Sequence, residues 1–349
     1  MWSSSRTIQV GDTVIIYQTR ENITSLVITP GKTFSSKFGT YTHDSFLDVP
    51  YGSKIASSSK DKRGFIYALR PTPELWTLAL PHRTQILYIG DISFISTWLD
   101  LRGGKRVLEA GTGSGSFSHS LSRTIGPRGE LRTFEFHHAR YQKALEEFGV
   151  HRMSNVRISH RNVCKEGFGD ESDGWADAVF LDMPAPWEAV PHACKALRKD
   201  MPSRIASFSP CIEQVLRTIG AMNAEGFTGI ETYEVLVRPW EVYTVGATEK
   251  TTSQAAESLK ESERKREERR KRQVEENTTG RKRKEGPSEE EGRQEKRVRV
   301  DPTLVVGRNV GKVLPETRGH TSYLTFAILI PTPQQEQEQE QEPAMQVDE

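Results

Sequence analysis

The stretch Val107-Leu108-Glu109-Ala110-Gly111-Thr112-Gly113-Ser114-Gly115-Ser116 decides the fold of this chain. Two apolar residues lead into an acid, and three glycines follow at alternate positions. Such a run reads as a β-strand that ends in a tight turn and opens a helix. The turn needs positive φ and lets a ligand approach with no Cβ in the way, which is what glycine supplies. The dinucleotide fingerprint G-x-G-x-x-G would need glycine at position 116, where this chain has serine. The pattern that remains is E-x-G-x-G-x-G.

The flanking residues continue a βαβ unit. Arg106 to Ala110 is β-prone, Ser116 to Thr124 has helical character, and Gly126-Pro127-Arg128-Gly129 closes the helix with turn residues. Glu130 to Phe136 then reads as a second strand. Glu135 near its end lies about 20 residues beyond the glycines, where a nucleotide fold places the acid that accepts hydrogen bonds from ribose hydroxyls. That role is favoured over a surface acid at a strand end. From about 75 to 245 strands and helices alternate, which predicts a parallel sheet. The strands are expected at 106–110, 130–136, 155–159, 177–182, 204–209 and 229–237, with helices such as Tyr141 to Phe148 and Ile212 to Ala224 between them. Ser322 to Ile330 is nearly all apolar and should be a buried strand of the same sheet.

Residues 1 to about 70 carry a different pattern. Thr13 to Gln18, Ser25 to Thr29, Ser45 to Val49 and Phe65 to Leu69 look like short strands joined by turns such as Pro30-Gly31, a small antiparallel β domain. Pro71-Thr72-Pro73-Glu74 then signals a helix start. The expected plan is a β domain over 1–70, a Rossmann-like α/β domain over 71–245, a charged and partly disordered insertion over 246–315, the last sheet strand within 316–333, and a disordered acidic tail over 334–349.

The bulk numbers agree with a folded body bearing appendages. Only 35% of the 349 residues are hydrophobic, low for a chain packed throughout. The formal charge of +1 averages over segregated segments. Residues 260–300 hold 16 basic and 11 acidic side chains, whereas residues 334–349 hold 6 acidic and no basic ones, so the body is left near neutrality. The run 260–296 cannot bury enough apolar surface to fold alone, and both a charged helix and disorder stay open. Arg281-Lys282-Arg283-Lys284 and Lys296-Arg297-Val298-Arg299 read as a solvated loop, as nuclear targeting or as phosphate contacts. Residues 335–342 alternate Gln and Glu. Cys164, Cys194 and Cys211 suit neither a disulfide framework nor a zinc site, so no metal is expected and a reducing compartment is. No apolar run is long enough to span a membrane, and the amino terminus has no signal pattern.

In an open parallel sheet the ligand sits at the carboxyl ends of the strands, where the strand order reverses. The fourth strand runs into Asp182-Met183-Pro184-Ala185-Pro186-Trp187. A carboxylate followed by prolines and an aromatic makes a rigid ledge, since proline fixes φ. The ledge suits a flat base that stacks on the aromatic while its edge meets the acid. Adenine N1 is a weak nucleophile beside an exocyclic amine. A carboxylate hydrogen-bonded to that amine pushes electron density onto N1, and general-base help of this kind is worth about 10²–10⁴ in rate. Asp182 is therefore read as catalytic rather than as a cap for a helix beginning near Ala189. Phe208, in Ser207-Phe208-Ser209-Pro210-Cys211 at the end of the fifth strand, either stacks on a base or fills core. Cys211 reads as a small packed residue rather than a nucleophile.

These motifs resemble the catalytic subunits of eukaryotic tRNA (adenine(58)-N1)-methyltransferases over almost the whole chain apart from the insertion and tail. The E-x-G-x-G-x-G turn is the form met in S-adenosylmethionine methyltransferases. The specific blocks are Pro71-Thr-Pro-Glu-Leu-Trp76, Pro81-His-Arg-Thr-Gln-Ile-Leu-Tyr88, Glu109-Ala-Gly-Thr-Gly-Ser-Gly-Ser116, Phe134-Glu-Phe-His137, Phe180-Leu-Asp-Met-Pro-Ala-Pro-Trp-Glu188, Ser207-Phe-Ser-Pro-Cys-Ile-Glu-Gln214 and Gly319-His-Thr-Ser-Tyr-Leu-Thr-Phe326. The resemblance implies a class I, Rossmann-like S-adenosylmethionine-dependent methyltransferase. It places the cofactor at Leu87, Gly111, Gly113, Ser114, Gly115, Ser116, Glu135, Arg140, Asn162, Val163 and Asp182, with Asp182 also the catalytic aspartate. It places the tRNA at Gln85, Ile86, Tyr88, Pro184, Phe208, Ser209, Pro210, His320 and Thr321. It further implies a nuclear heterotetramer of two catalytic and two related non-catalytic subunits that methylates the T-loop of tRNA, initiator methionine tRNA included.

Two positions depart from the family. The family has Asp before Val-Cys where this chain reads Asn162-Val163-Cys164, so an acceptor for the cofactor's adenine amine is weakened and affinity rather than reaction type is affected. Leu101-Arg102-Gly103-Gly104 replaces a proline–glycine turn, with little expected consequence. A non-catalytic tRNA-binding subunit is the rival reading, and the intact glycine turn with Glu135 and Asp182 opposes it. A methyltransferase for a protein or a small molecule is the other rival, and a small-molecule enzyme would have little use for the basic insertion.

Overall fold

The computed structural model of the chain describes residues 1–58, 64–81, 84–237, 240–245, 252–279, 308–313 and 322–331. They fall into two compact units. One runs to Val237 and resumes at Ser322, and the other holds 240–245, 252–279 and 308–313.

The first unit begins with β1 (Thr13–Thr19), β2 (Asn22–Val27), β3 (Thr33–Ser36), β4 (Gly39–Thr42), a 3-10 turn at His43–Phe46, β5 (Ser53–Ala56) and β6 (Phe65–Leu69). Four of these strands form an antiparallel sheet in the order β2-β1-β6-β5, and β3 and β4 make a separate hairpin. Val14, Ile16, Ile66 and Ala68 alternate along their strands and share one core with Tyr41 and Phe46. The strand expected over Ser45–Val49 is not one. His43–Phe46 turns instead, dropping Phe46 into the core, and His43 Nδ1 accepts from the Thr29 amide at 3.0 Å. The strands β3, β4 and β5 were missed because each has four residues, two of the three rich in Ser, Thr or Gly.

Next come α1 (Pro73–Ala79) and α2 (Ile89–Trp98). The Thr72 hydroxyl accepts from the Leu75 amide at 3.3 Å and Pro73 fills the first turn, as the Pro-Thr-Pro-Glu signal predicts. The alternating region then supplies β7 (Arg106–Ala110), α3 (Ser116–Ile125), β8 (Glu130–Glu135), α4 (His138–Val150), β9 (Val156–His160), α5 (Val163–Glu166), β10 (Ala178–Leu181), α6 (Pro186–Ala196), β11 (Ser203–Ser209), α7 (Ile212–Ala224) and β12 (Thr228–Glu234). The second unit contributes β13 (Trp240–Val245), α8 (Thr252–Thr279) and β14 (Arg308–Val313), and β15 (Tyr323–Leu329) returns to the first.

Seven strands form the main sheet in the order β12-β15-β11-β10-β7-β8-β9. The run from β11 to β9 is parallel. β15 joins the same sheet, as its apolar run predicts, but lies antiparallel between β11 and β12, so the sheet is mixed. Alternation sends Leu108, Val179, Leu181 and Ile205 to one face, against α6 and Met222 of α7. Val107, Phe180, Ala206, Phe208 and Phe326 go to the other, against α2 and α3. Each of the Val, Leu, Ile, Phe and Met side chains contributes about 1.5–3 kcal/mol on burial. From β7 the chain steps outward through β8 to β9, then returns to the opposite side of β7 at β10. The strand order therefore reverses at β7/β10, and the crevice opens at their carboxyl ends.

The second unit differs from the expected plan. Residues 240–245 do not extend the main sheet but pair antiparallel with Arg308–Val313, so a two-stranded ribbon brackets the insertion. Part of the charged stretch is the helix Thr252–Thr279, where Lys265 pairs with Glu261 at 3.1 Å. Both basic clusters and the acidic tail lie outside the described residues, as do His320 and Thr321. Among the described residues no helix is long and apolar enough to cross a membrane, and no cluster of His, Cys, Asp and Glu could hold a metal ion.

Candidate active site

The three glycines of the turn take φ of 99°, 55° and 73° at Gly111, Gly113 and Gly115, in the region that favours glycine. Position 111 has a second constraint. A Cβ there would stand 1.9 Å from the Asp182 carbonyl oxygen, so only glycine lets the loop after β10 pass beside the turn. The Asp182 amide donates to the Ala110 carbonyl at 2.8 Å and holds the two loops in register. A Cβ on Gly113 would stand 2.9 Å from Thr84 Oγ1.

The two loops frame a cleft of about 730 Å³, within the range of small-molecule sites. Of the residues assigned from sequence, Gln85, Ile86, Leu87, Gly111, Gly113, Glu135, Arg140, Asn162, Val163, Asp182, Pro184, Phe208 and Pro210 line it. Ser114, Gly115 and Ser116 do not. Ser114 Oγ lies 3.3 Å from both the Thr84 amide and its hydroxyl, and Ser116 Oγ donates to the Leu87 carbonyl at 3.0 Å. The serines hold the 84–87 loop over the turn, and that loop presents Gln85 to Leu87 to the cleft. Tyr88 also lies off the cleft wall, packed with Leu75 and Ile86 against α1. Ser209 is fully buried, and its hydroxyl has no hydrogen-bond partner among the described residues.

The ledge is shorter than expected. Pro186 opens α6, so Trp187 lies in the helix beneath the Arg217 guanidinium, 5.0 Å from its centre, and does not reach the cleft. The ledge at the cleft is Asp182 to Ala185, pinned where Gln214 Nε2 donates to the Pro184 carbonyl at 3.0 Å. Asp182 caps no helix, since Ala185 holds the N-cap position of α6 without a side-chain bond. Asn162 is the N-cap of α5, and its side chain makes no cap bond. Among the cleft residues that sequence reading missed, Thr84, Phe136, His137 and Gln214 stand inside the motif blocks, where position in the block was the available signal, whereas Arg161 and Lys165 stand outside them.

Glu135 ends β8 with only 2% of its surface exposed. Its Oε2 accepts from the Gly113 amide at 2.9 Å. Its Oε1 accepts from the His137 amide at 2.9 Å and from Arg140 Nε and Nη2 at 3.0 and 2.7 Å. Three of these donors converge on Oε1 and one on Oε2, so Oε2 keeps acceptor capacity for a ribose hydroxyl. Two further acids share this sheet face. Buried Glu109 accepts from Ser118 Oγ at 2.6 Å, and burial raises its carboxyl to about 7. Asp182 is packed by protein but open to the cleft. Burial, then the Glu135 charge, raises its carboxyl to about 7. A glycine cradle beside carboxylates suits a ligand with a nucleoside part and a positive charge, which S-adenosylmethionine has.

The residues 64–329 match the family described as tRNA methyltransferase complex GCD14 subunit. A relative from Cryptococcus neoformans var. neoformans, tRNA (adenine(58)-N(1))-methyltransferase catalytic subunit TRM61, is 45% identical over 95% of this chain and 84% of its own length. The Schizosaccharomyces pombe protein of the same name is 40% identical over 93% and 94%. Two solved structures share the fold. A S-adenosylmethionine-dependent O-methyltransferase from Thermotoga maritima superposes with a TM-score of 0.66 at 22% identity, covering 94% of this chain and 96% of its own. The tRNA (m1A58) methyltransferase TrmI from Aquifex aeolicus gives 0.62 at 21% identity, covering 93% and 100%. With the glycine turn, the strand order and the acids at the strand ends in place, this chain belongs to the GCD14 family of tRNA methyltransferase complex subunits.

Proposed function

We infer that this chain is the catalytic subunit of an S-adenosylmethionine-dependent tRNA (adenine(58)-N1)-methyltransferase, forming 1-methyladenosine in the T-loop of tRNA, initiator methionine tRNA included. The observation that carries the reading is Asp182, held at the switch point of the sheet against the glycine turn and open to the cleft.

Bound in the cleft, the cofactor supplies an electrophilic methyl group on a sulfonium. Glu135 and Asn162 would hold its nucleoside end, and the Gly111–Gly113 backbone, free of Cβ atoms at both glycines, would let it approach. Asp182 accepts a hydrogen bond from the exocyclic amine of the target adenine. Electron density moves onto N1, and the carboxylate offsets the positive charge that the ring gains on methylation. Pro184, Phe208 and Pro210, which also line the cleft, exclude water and hold the base, so orientation supplies much of the acceleration.

The companion is a related, non-catalytic subunit, two of each chain forming a heterotetramer. The wording "catalytic subunit" in the relatives' names supports a division of labour. Nuclear residence is supported by the basic clusters at 281–284 and 296–299. A non-catalytic tRNA-binding role for this chain would leave Asp182 and the glycine turn without a purpose.

The deciding measurement is nucleoside analysis of tRNA after incubation of the chain, with its companion subunit, and methyl donor. Asp182→Ala should abolish 1-methyladenosine at position 58 while tRNA binding persists. Normal product from that variant removes the role given to Asp182.

A further inference from the structure

We propose that residues 1–5 form a strap that positions the glycine turn, with Trp2 seated on a buried histidine pair that fixes the Gly115 carbonyl and so sets cofactor affinity from outside the cleft. The proposal rests on reading this turn as the seat of the cofactor. The Gly115 carbonyl accepts twice from His119, from its amide at 3.2 Å and from Nδ1 at 2.5 Å. A carbonyl only accepts, so Nδ1 carries the proton and Nε2 offers a lone pair. Nε2 lies 2.8 Å from His151 Nδ1, which therefore donates. Both rings are buried, at 0% and 3% exposure, and burial lowers His151 to about 4, so the His151 ring is uncharged at neutral pH.

Trp2 closes the relay. Its amide donates to the His151 carbonyl at 2.6 Å, and its ring stacks on His119 at 5.4 Å and 19°. Trp76 of α1 meets His151 edge-on at 4.5 Å. The indole nitrogens of Trp2 and Trp76 are buried without partners among the described residues, so ring surface holds the cage rather than indole hydrogen bonds. The strap is tied at its other end. Arg70 donates to the Ser3 carbonyl at 2.6 Å and to the Ser5 carbonyl. From α4, Phe148 comes within 3.1 Å of where a Cβ on Gly115 would stand. None of Trp2, His119 and His151 lines the cleft.

The test uses the full chain. Trp2→Ala should weaken S-adenosylmethionine binding in calorimetry and raise its KM about tenfold, with kcat at saturating cofactor within roughly twofold. Trp2→Phe, which keeps a stacking ring, should restore the affinity. In the unsubstituted protein, saturating cofactor should slow amide exchange in residues 1–8, because coupling is reciprocal. This second reading needs no variant and decides the matter if Trp2→Ala folds poorly. Glu135→Gln serves as the control for the site itself. Cofactor affinity lost in Glu135→Gln but unchanged in Trp2→Ala overturns the strap alone. Affinity unchanged in both overturns the cofactor seat and the strap with it. A KM effect on tRNA in place of cofactor, or exchange in residues 1–8 indifferent to cofactor, also overturns the strap.

Discussion

Asp182 is held where an ionised carboxylate is disfavoured, and that has a measurable sign. Burial and the Glu135 charge raise its carboxyl to about 7, whereas an unfolded aspartate titrates near 3.9. The cofactor-free fold therefore keeps a proton that the unfolded chain has released. The stability this proton contributes is full below about pH 4 and is lost as pH rises through about 7. Asp182→Asn removes the loss, so at pH 8 the variant should melt higher than the parent, by roughly 2–4 °C for each kcal/mol regained. Methyl transfer by the same variant should fall at least about 10²-fold. In the parent, kcat/KM should climb with pH through about 7. Calorimetric melting at pH 5 and pH 8 checks the argument, and a gain equal at both removes it. Asn162 offers a gentler test. Asn162→Asp places a full carboxylate on the cleft wall and should tighten S-adenosylmethionine by about 1 kcal/mol, roughly fivefold. Unchanged affinity in a titration would mean that the ligand does not meet this side chain.

Among elements, β15 does the most to close the sheet, since it alone joins β11 to β12. Its Phe326 is 1% exposed, stacked on Trp98 at 5.0 Å and meeting Phe94 edge-on at 5.6 Å. Phe326→Ala should cost about 3–5 kcal/mol, read as a lower urea midpoint with an unchanged slope. A loss under 1 kcal/mol would mean that the pocket collapses freely. This strand also shows what sequence could and could not say. Its apolar run announced a buried strand, but its antiparallel direction depends on how the chain returns after the second unit, which no local pattern encodes. The acids Glu135 and Asp182 were legible because strand ends are marked by a change in residue type and the fold assigns work to such ends. That the Ser114 and Ser116 hydroxyls turn to the 84–87 loop could not be read locally, since that loop lies about 30 residues away along the chain. The short strands at 33–36 and 39–42 escaped because four residues carry too little periodicity to register.

At the scale of the whole chain, charge and chemistry fall in different units. The cleft belongs to the first unit, while the densest positive charge belongs to the insertion: residues 264–272 of α8 hold seven basic side chains against two acidic ones. A helix of this composition offers little apolar surface to a core, and pairs such as Lys265–Glu261 are worth a few tenths of a kcal/mol each. Its charge is therefore available to phosphates. If it grips tRNA, binding must displace condensed counterions, and log K must fall linearly with log salt. Each phosphate neutralised adds about 0.7–0.9 to the slope. Deleting 260–299 should then shallow the slope by roughly 2–4 and weaken binding most at low salt, while leaving cofactor affinity in calorimetry unchanged. Filter binding of tRNA to the parent and the deletion across a salt series measures both slopes. Parallel lines would mean that the insertion touches no phosphate, and would leave its basic clusters to targeting alone.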